Sequence, residues 1–249
     1  MPFREMIREA SARNKSKIVL ALDLEDSDRE KLLRKSRDVL QMASKHICAV
    51  KINRQLVLAL GLWNGVDSLV SAAHELSLPA IMDAKLNDVG HTNLFMARSY
   101  MEAGFDALIA SPIVGWEGGM EPVFTLANSR DKGLILLIYM SHPGAETFYS
   151  MKASVRDQPS KPIFEMLVDL AVEWKADGMI VGATRPEIIK RVRTIAGREI
   201  AIFSPGVGAQ GGEPRASIHA GADYLIVGRA IYDAQDVEHA AKQYREMTG

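Results

Sequence analysis

Apolar residues fall into eight short, nearly unbroken runs, at 18–24, 47–53, 79–86, 107–113, 133–140, 178–183, 199–206 and 224–229. Runs of this length, without the alternation of a half-exposed strand, mark strands buried on both faces. Between them the pattern turns amphipathic and predicts helices near 28–43, 55–76, 91–104, 118–130, 162–176, 185–196, 214–221 and 233–246. Gly104, Gly178, Gly197 and Gly221 stand where helices should stop, because glycine accepts the left-handed cap conformation. Pro162 and Pro186 suit first-turn positions, where the missing N–H costs nothing. Ahead of the first run, Phe3, Met6 and Ile7 can form one face of a short helix that caps a barrel or lies on the surface.

Eight strand–helix units in 249 residues predict a single (β/α)8 TIM barrel spanning 1–249, an α/β fold, with a short N-terminal helix. The alternative is an open, doubly wound sheet. That arrangement needs edge strands marked by polar or shortened runs, and no run has that character. The 141–161 stretch is long for a loop after a strand and is expected to hold a short helix or a mobile segment.

Composition narrows the function. Hydrophobic types make up 47% and charged types 24%, which excludes a disordered, collagen-like or coiled-coil chain. The formal net charge of −1 lacks the basic excess of a general nucleic-acid binder. No apolar stretch approaches the length of a membrane span. The first sixteen residues carry four basic side chains and no apolar core, so they do not read as a secretory signal. One cysteine, Cys48, leaves no intrachain disulfide and no cysteine-based zinc site, and fits a reducing, cytoplasmic setting.

The chemistry is written at the strand ends. In a barrel, functional groups gather where strands finish. The first run ends in Asp23, the second in Lys51, and the third in Asp83-Ala84-Lys85 with Asp88 just beyond. Asp83 and Lys85 are two apart on one strand and so share a side. Charges inside apolar runs are costly unless paired or functional. A structural ion pair would explain Lys51 or Lys85 singly, but three consecutive strands charged at the same end point to a site. An alternating Asp–Lys–Asp–Lys array keeps its lysines protonated. Such a lysine can stabilise a carbanion and protonate carbon, while a fixed aspartate repels a substrate carboxylate. Loss of CO2 relieves that repulsion, and no metal is needed if the lysines provide all the positive charge. Remote groups on the substrate must supply the binding energy.

The remote handle is read as a phosphate. The seventh run leads into Ser204-Pro205-Gly206-Val207-Gly208-Ala209-Gln210-Gly211-Gly212, and the eighth ends in Gly228-Arg229. Loops after strands seven and eight form the usual phosphate site of a barrel. Neither a P-loop nor a dinucleotide fingerprint is present. The fifth run ends in Met140-Ser141-His142-Pro143-Gly144, where a hydroxyl and free amides can read a planar heterocycle. A catalytic Ser–His pair fits poorly, since neighbours in a turn seldom reach each other and no G-x-S-x-G elbow exists. The histidines lack metal-ligand spacing. His91 begins a helix near the site and can approach ligand or a partner subunit.

Taken together, these segments resemble the orotidine 5′-monophosphate decarboxylase family, in its compact archaeal-type form, from Ile18 to about Tyr232. The carriers are Leu20-Ala21-Leu22-Asp23, Val50-Lys51, Asp83-Ala84-Lys85-Leu86-Asn87-Asp88 with Thr92, the segment Met140 to Ala145, the loop Ser204 to Gly212, and Val227-Gly228-Arg229. The resemblance implies that Lys85 protonates C6 of the pyrimidine and that Asp83 faces the substrate carboxylate. It implies that Asp23 and Lys51 hold the ribose region and complete the charge array. Ser141 would contact the base, Pro205 and Gln210 would belong to the closing loop, and Gly228 and Arg229 would bind phosphate. Asp88 and Thr92 would cross a twofold interface into the neighbouring site of a homodimer. The family implies a small nucleotide substrate, uridine 5′-monophosphate as product, and neither metal nor organic cofactor. Val89-Gly90-His91, Asn53-Arg54 and 146–161 depart from the family's common pattern, without removing a required charge.

Three rivals remain at this level. A related phosphosugar decarboxylase or hexulose-phosphate synthase would need a magnesium-binding acidic pair, for which Glu30 is a candidate. A Schiff-base aldolase would use Lys85 or Lys51. A noncatalytic nucleotide sensor would have little reason to bury opposing carboxylates near an anionic ligand.

Overall fold

The computed structural model describes residues 1–154 and 159–248. The strands are β1 (Ile18–Leu22), β2 (Ala49–Asn53), β3 (Ala80–Leu86), β4 (Ala107–Ala110), β5 (Gly133–Tyr139), β6 (Gly178–Val181), β7 (Ala201–Pro205) and β8 (Tyr224–Val227). They close into one parallel barrel in the order β1-β8-β7-β6-β5-β4-β3-β2, ringed by helices. This is the (β/α)8 barrel read from the apolar runs. Nearly every strand residue is buried, as expected for strands covered by helices outside and by side chains within.

The N-terminal helix Phe3–Asn14 caps the bottom of the barrel through Phe3, Ile7 and Ala10. Phe3 stacks on Phe203, with ring centroids 6.5 Å apart, and Phe203 stacks on Tyr224 at 4.9 Å. The floor is therefore aromatic. Gly178 makes room for it, since a Cβ there would lie 2.5 Å from the Phe203 ring.

Acidic residues latch alternate strands at the base. Asp106, Asp177 and Asp223 immediately precede β4, β6 and β8. Their carboxylates accept from the backbone N–H of Ala80 (2.9 Å), Leu134 (2.9 Å) and Ile202 (2.8 Å). Each also meets a base: Lys132 at 3.0 Å, Arg4 at 2.6 Å, and Arg193. Strand-edge donors that would otherwise go unpaired in a buried ring are thereby satisfied.

Several expected elements are divided. The predicted helix 55–76 breaks into Arg54–Leu60 and a second arm over Leu62–Glu75, inclined at 93°. Gly61 (φ 74°) and Asn64 (φ 62°) take left-handed backbone there, and Arg29 donates to the freed Leu60 carbonyl at 2.7 Å. The predicted 118–130 helix becomes a turn through Gly118 followed by Glu121–Ser129. The predicted 233–246 helix starts later, at Val237, capped by Asp236, and runs to Glu246; a separate four-residue helix, Arg229–Tyr232, precedes it. The 141–161 stretch holds the short helix Ala145–Tyr149, and Lys152–Ala153 pairs antiparallel with Lys161–Pro162. The rest of that expectation, over 155–158, lies outside the described residues. No single helix is long and apolar enough to cross a membrane.

Candidate active site

A cavity of about 280 Å³ opens at the C-terminal ends of the strands. Its floor is apolar, with Ala21, Ile109, Leu137, Ile180 and Ile226. Its walls carry Asp23, Lys51, Asp83, Lys85, Ser141, Pro205, Gln210, Gly228 and Arg229. Nine residues singled out in the sequence thus meet in one space.

Strand register explains the charged wall. Ala21 of β1 pairs with Lys51 of β2, and Asn53 of β2 pairs with Asp83 of β3. The small Ala21 leaves space beside the long lysine. Lys51 Nζ lies 3.3 Å from Asp23 Oδ1 and 3.0 Å from Asp83 Oδ2. Asp83 Oδ1 accepts from Lys85 Nζ at 2.6 Å. The result is a continuous chain Asp23–Lys51–Asp83–Lys85, two acids and two bases.

Lys51 is 4% exposed and Asp83 is 8% exposed. Burial alone would drive Lys51 toward neutrality, but the Asp83 and Asp23 carboxylates outweigh it and hold the lysine above its ordinary value. Burial likewise works to raise Asp83, and Lys51 and Lys85 outweigh it, so its carboxyl stays below the ordinary range. Both groups are charged at neutral pH, each held so by the other together with Asp23 or Lys85.

Lys85 occupies unusual backbone. Its φ is 44°, and the β3–β4 register slips between Met82 and Leu86, so the strand bulges there. Such bulges re-aim side chains beside active sites. A non-glycine residue in the left-handed region costs about 1–2 kcal/mol. The surrounding barrel holds that strain in place and delivers Lys85 to Asp83.

Asp88 and Thr92 stand apart from these nine. Asp88 is exposed, Thr92 is half-buried, and neither lines the cavity of its own chain. Asn93, which is fully buried, fixes the Asp88 backbone by accepting from its N–H at 3.1 Å and donating to its carbonyl at 2.5 Å. His91 is exposed and contacts Thr92 Oγ1 at 3.2 Å rather than the cavity. His142 lines the cavity.

The glycine-rich loop forms the opposite rim. Gly206, Gly208 and Gly211 all have positive φ, and Gly212 N donates to the Gly206 carbonyl at 3.0 Å. A Cβ on Gly206 would lie 2.8 Å from Ser141 Cβ and 3.0 Å from Gln210 Oε1, so only glycine lets those side chains converge. Thr184 Oγ1 donates to the Ser141 carbonyl at 2.8 Å and fixes that turn. In barrel order β8, bearing Gly228 and Arg229, is separated from β3 by β1 and β2. The cavity therefore spans from the arginine on one wall to Lys85 on another.

Sequence reading missed Asn93, Thr184, Gln55 and Tyr232. Gln55 Nε2 and the Tyr232 hydroxyl both donate to the main-chain carbonyl of Asp23, at 3.0 Å and 3.3 Å. Asn93 carried a signal, an amide in a helix's first turn. Gln55 and Tyr232 are polar residues of ordinary helices and Thr184 lies in a turn, and nothing local distinguishes them.

Among the described residues no three His, Cys, Asp or Glu side chains are grouped to hold a metal ion. Glu30, the acidic candidate of the metal-dependent rival, is exposed and does not line the cavity.

Comparison with known proteins bears on the chain as a whole. Residues 16–244 match the model of the orotidine 5′-phosphate decarboxylase / HUMPS family. Orotidine 5′-phosphate decarboxylase of Thermococcus kodakarensis is 35% identical over 231 residues, covering 93% of this chain and 96% of that protein. Its counterpart from Pyrococcus furiosus is 37% identical over 229 residues, covering 92% and 96%. The crystal structure of orotidine 5′-monophosphate decarboxylase from Methanocaldococcus jannaschii, complexed with the inhibitor BMP, superposes with a TM-score of 0.79 at 30% identity. It covers 94% of this chain and 99% of that one. With the motifs, the closed barrel and the charged cavity in agreement, this chain belongs to the orotidine 5′-phosphate decarboxylase / HUMPS family.

Proposed function

We infer that this chain decarboxylates orotidine 5′-monophosphate to uridine 5′-monophosphate and CO2 in pyrimidine biosynthesis. The observation that carries this reading is the continuous Asp23–Lys51–Asp83–Lys85 array at one end of a cavity whose other wall bears Gly228 and Arg229. The relatives named above carry the same activity in their names.

Arg229, the amide of Gly228 and the loop through Gln210 bind the phosphate, with Pro205 shaping the loop's origin. Ser141 and Gln210 meet the base, and Asp23 and Lys51 meet the ribose hydroxyls. Binding energy from these contacts carries the substrate carboxylate toward Asp83, where two negative charges are forced together. Breaking the C6–carboxylate bond releases CO2 and leaves the electron pair on C6. Lys85 stabilises that charge, then gives its proton to C6 and forms the C–H bond. Solvent returns a proton to Lys85. No step calls for a metal or an organic cofactor.

The protein acts as a homodimer in this proposal, with Asp88 and Thr92 completing the neighbouring site. Support comes from Asp88 standing outside its own cavity, next in the chain to Val89 (54% exposed) and just ahead of the helix Gly90–Glu102, which exposes Phe95 (71%). Exposed apolar side chains grouped at a rim mark interaction surfaces. The whole of 1–249 works as one catalytic domain, in the cytoplasm, where the free and buried Cys48 would stay reduced.

An absorbance assay on orotidine 5′-monophosphate tests the reading, run with and without chelator and with Lys85→Ala. Turnover should survive chelation and collapse in the variant, which should still bind uridine 5′-monophosphate. Strict metal dependence, or a fully active variant, would overturn it and favour the phosphosugar enzymes.

A further inference from the structure

Asp23 is held by its backbone as well as by its carboxylate. Its carboxylate contacts Lys51, while its carbonyl accepts from Gln55 and from Tyr232, which belong to the units after β2 and after β8. Tyr232 ends the four-residue helix that Arg229 begins, and its own N–H donates to the Gly228 carbonyl at 3.1 Å. Gly228 is pressed between this ring and β1. A Cβ on it would lie 3.3 Å from Tyr232 Cε1 and 3.4 Å from Ala21 Cβ. Arg229, Gly228, Tyr232 and Asp23 therefore form one mechanical unit. The Tyr232 ring is 9% exposed, and burial, then Asp23 and Asp233, push its phenol up to about 12, so it remains a hydrogen-bond donor at neutral pH.

We propose that Gln55 and Tyr232 are positioning residues that lock the Asp23 main chain, and that Tyr232 couples phosphate capture at Gly228 and Arg229 to the order of the Asp23–Lys51–Asp83–Lys85 array. The proposal rests on the decarboxylase reading. Phosphate bound by Arg229 restrains the short helix, and the Tyr232 hydroxyl passes that restraint to Asp23 across 3.3 Å. Asp23 then holds Lys51, and Lys51 holds Asp83. Gln55 restrains the same carbonyl from the other side, independently of phosphate. The two donors have different consequences because only one stands on the phosphate-binding element.

The test compares Tyr232→Phe and Gln55→Ala with the parent on orotidine 5′-monophosphate and on orotidine, the same nucleoside without phosphate. The quantity read is kcat/KM on each substrate and their ratio. Tyr232→Phe should lower activity on the phosphorylated substrate about fivefold, the size of one lost neutral hydrogen bond, and leave orotidine turnover within about twofold. Its ratio therefore falls. Gln55→Ala should lower both substrates in equal proportion, by roughly threefold, and preserve the ratio. Retained orotidine turnover also shows that Tyr232→Phe is folded. Equal loss on both substrates in Tyr232→Phe, as from a merely structural role, would overturn the coupling, as would a variant indistinguishable from the parent. A parent inactive on orotidine 5′-monophosphate would instead remove the decarboxylase reading on which the coupling stands.

Discussion

The Lys85 ammonium lies 2.6 Å from the Asp83 carboxylate, and it reaches there from a backbone at φ 44°. The proposed proton donor and the strained backbone coincide in one residue. Two substitutions separate them. Lys85→Ala and Lys85→Gly should both abolish turnover. The glycine variant should be the more stable by about 0.5–1 kcal/mol, because relief of the left-handed strain exceeds the extra unfolded-state entropy. Urea midpoints of the two variants check this, and an alanine variant as stable as the glycine one would contradict the assigned strain.

Protonation of the array sets a second expectation. Asp83 is held below 3.8, so its contribution to stability is present above that value and disappears as pH falls through the lower folded value. Lys51 is held above 10.5, so its contribution is present below that value and disappears as pH rises through the higher folded value. Between roughly pH 5 and 9 neither group changes charge. A profile of kcat across that range should show no inflection from either. The stability advantage of the parent over Asp83→Asn should shrink once pH drops below 3.8, measured by urea unfolding at each pH.

Placement of Asp88 leads to a mixing experiment. If Asp88 serves the neighbouring site, a mixed dimer of Asp88→Ala and Lys85→Ala chains contains one intact site and one doubly damaged site. Each variant alone should be nearly inactive. After equal mixing and exchange, half of the dimers are mixed, so about a quarter of parental activity should return. Absence of recovery despite verified subunit exchange would assign Asp88 to its own chain.

The aromatic floor predicts stability without chemistry. Gly178→Ala sets a methyl 2.5 Å from the Phe203 ring, which is fully buried. Overpacking of this kind costs about 1–3 kcal/mol. The melting temperature should fall while kcat and KM stay near parental values, and a second change, Phe203→Leu, should recover part of the loss. A large drop in kcat at unchanged stability would show that the floor and the charged wall are coupled.

Asp23, Lys51, Asp83 and Lys85 were legible before any coordinates because charge inside buried strands is conspicuous. Register then did the rest, since adjacent parallel strands bring their last residues side by side. The bulge at Lys85 was not legible: a two-residue spacing is the same in a regular strand and a distorted one. Nor was the break after Leu60, where the apolar period runs on through Gly61 and Asn64 although the backbone turns. Tyr232 and Asp23 are 209 positions apart in the chain. Only barrel closure makes them neighbours, and closure leaves no trace at either residue. The start of the last helix was misplaced at 233, although Asp236 stood at capping distance ahead of His239, from whose N–H it accepts at 2.9 Å.

Phe3, Phe203 and Tyr224 stopper the barrel from below, with exposures of 2%, 0% and 8%. Traffic is therefore one-ended. Among the described residues the charged cavity opens at the C-terminal ends of the strands, where Gly206, Val207, Ala209 and Gln210 line it, so whatever is taken up and whatever is given off share one rim.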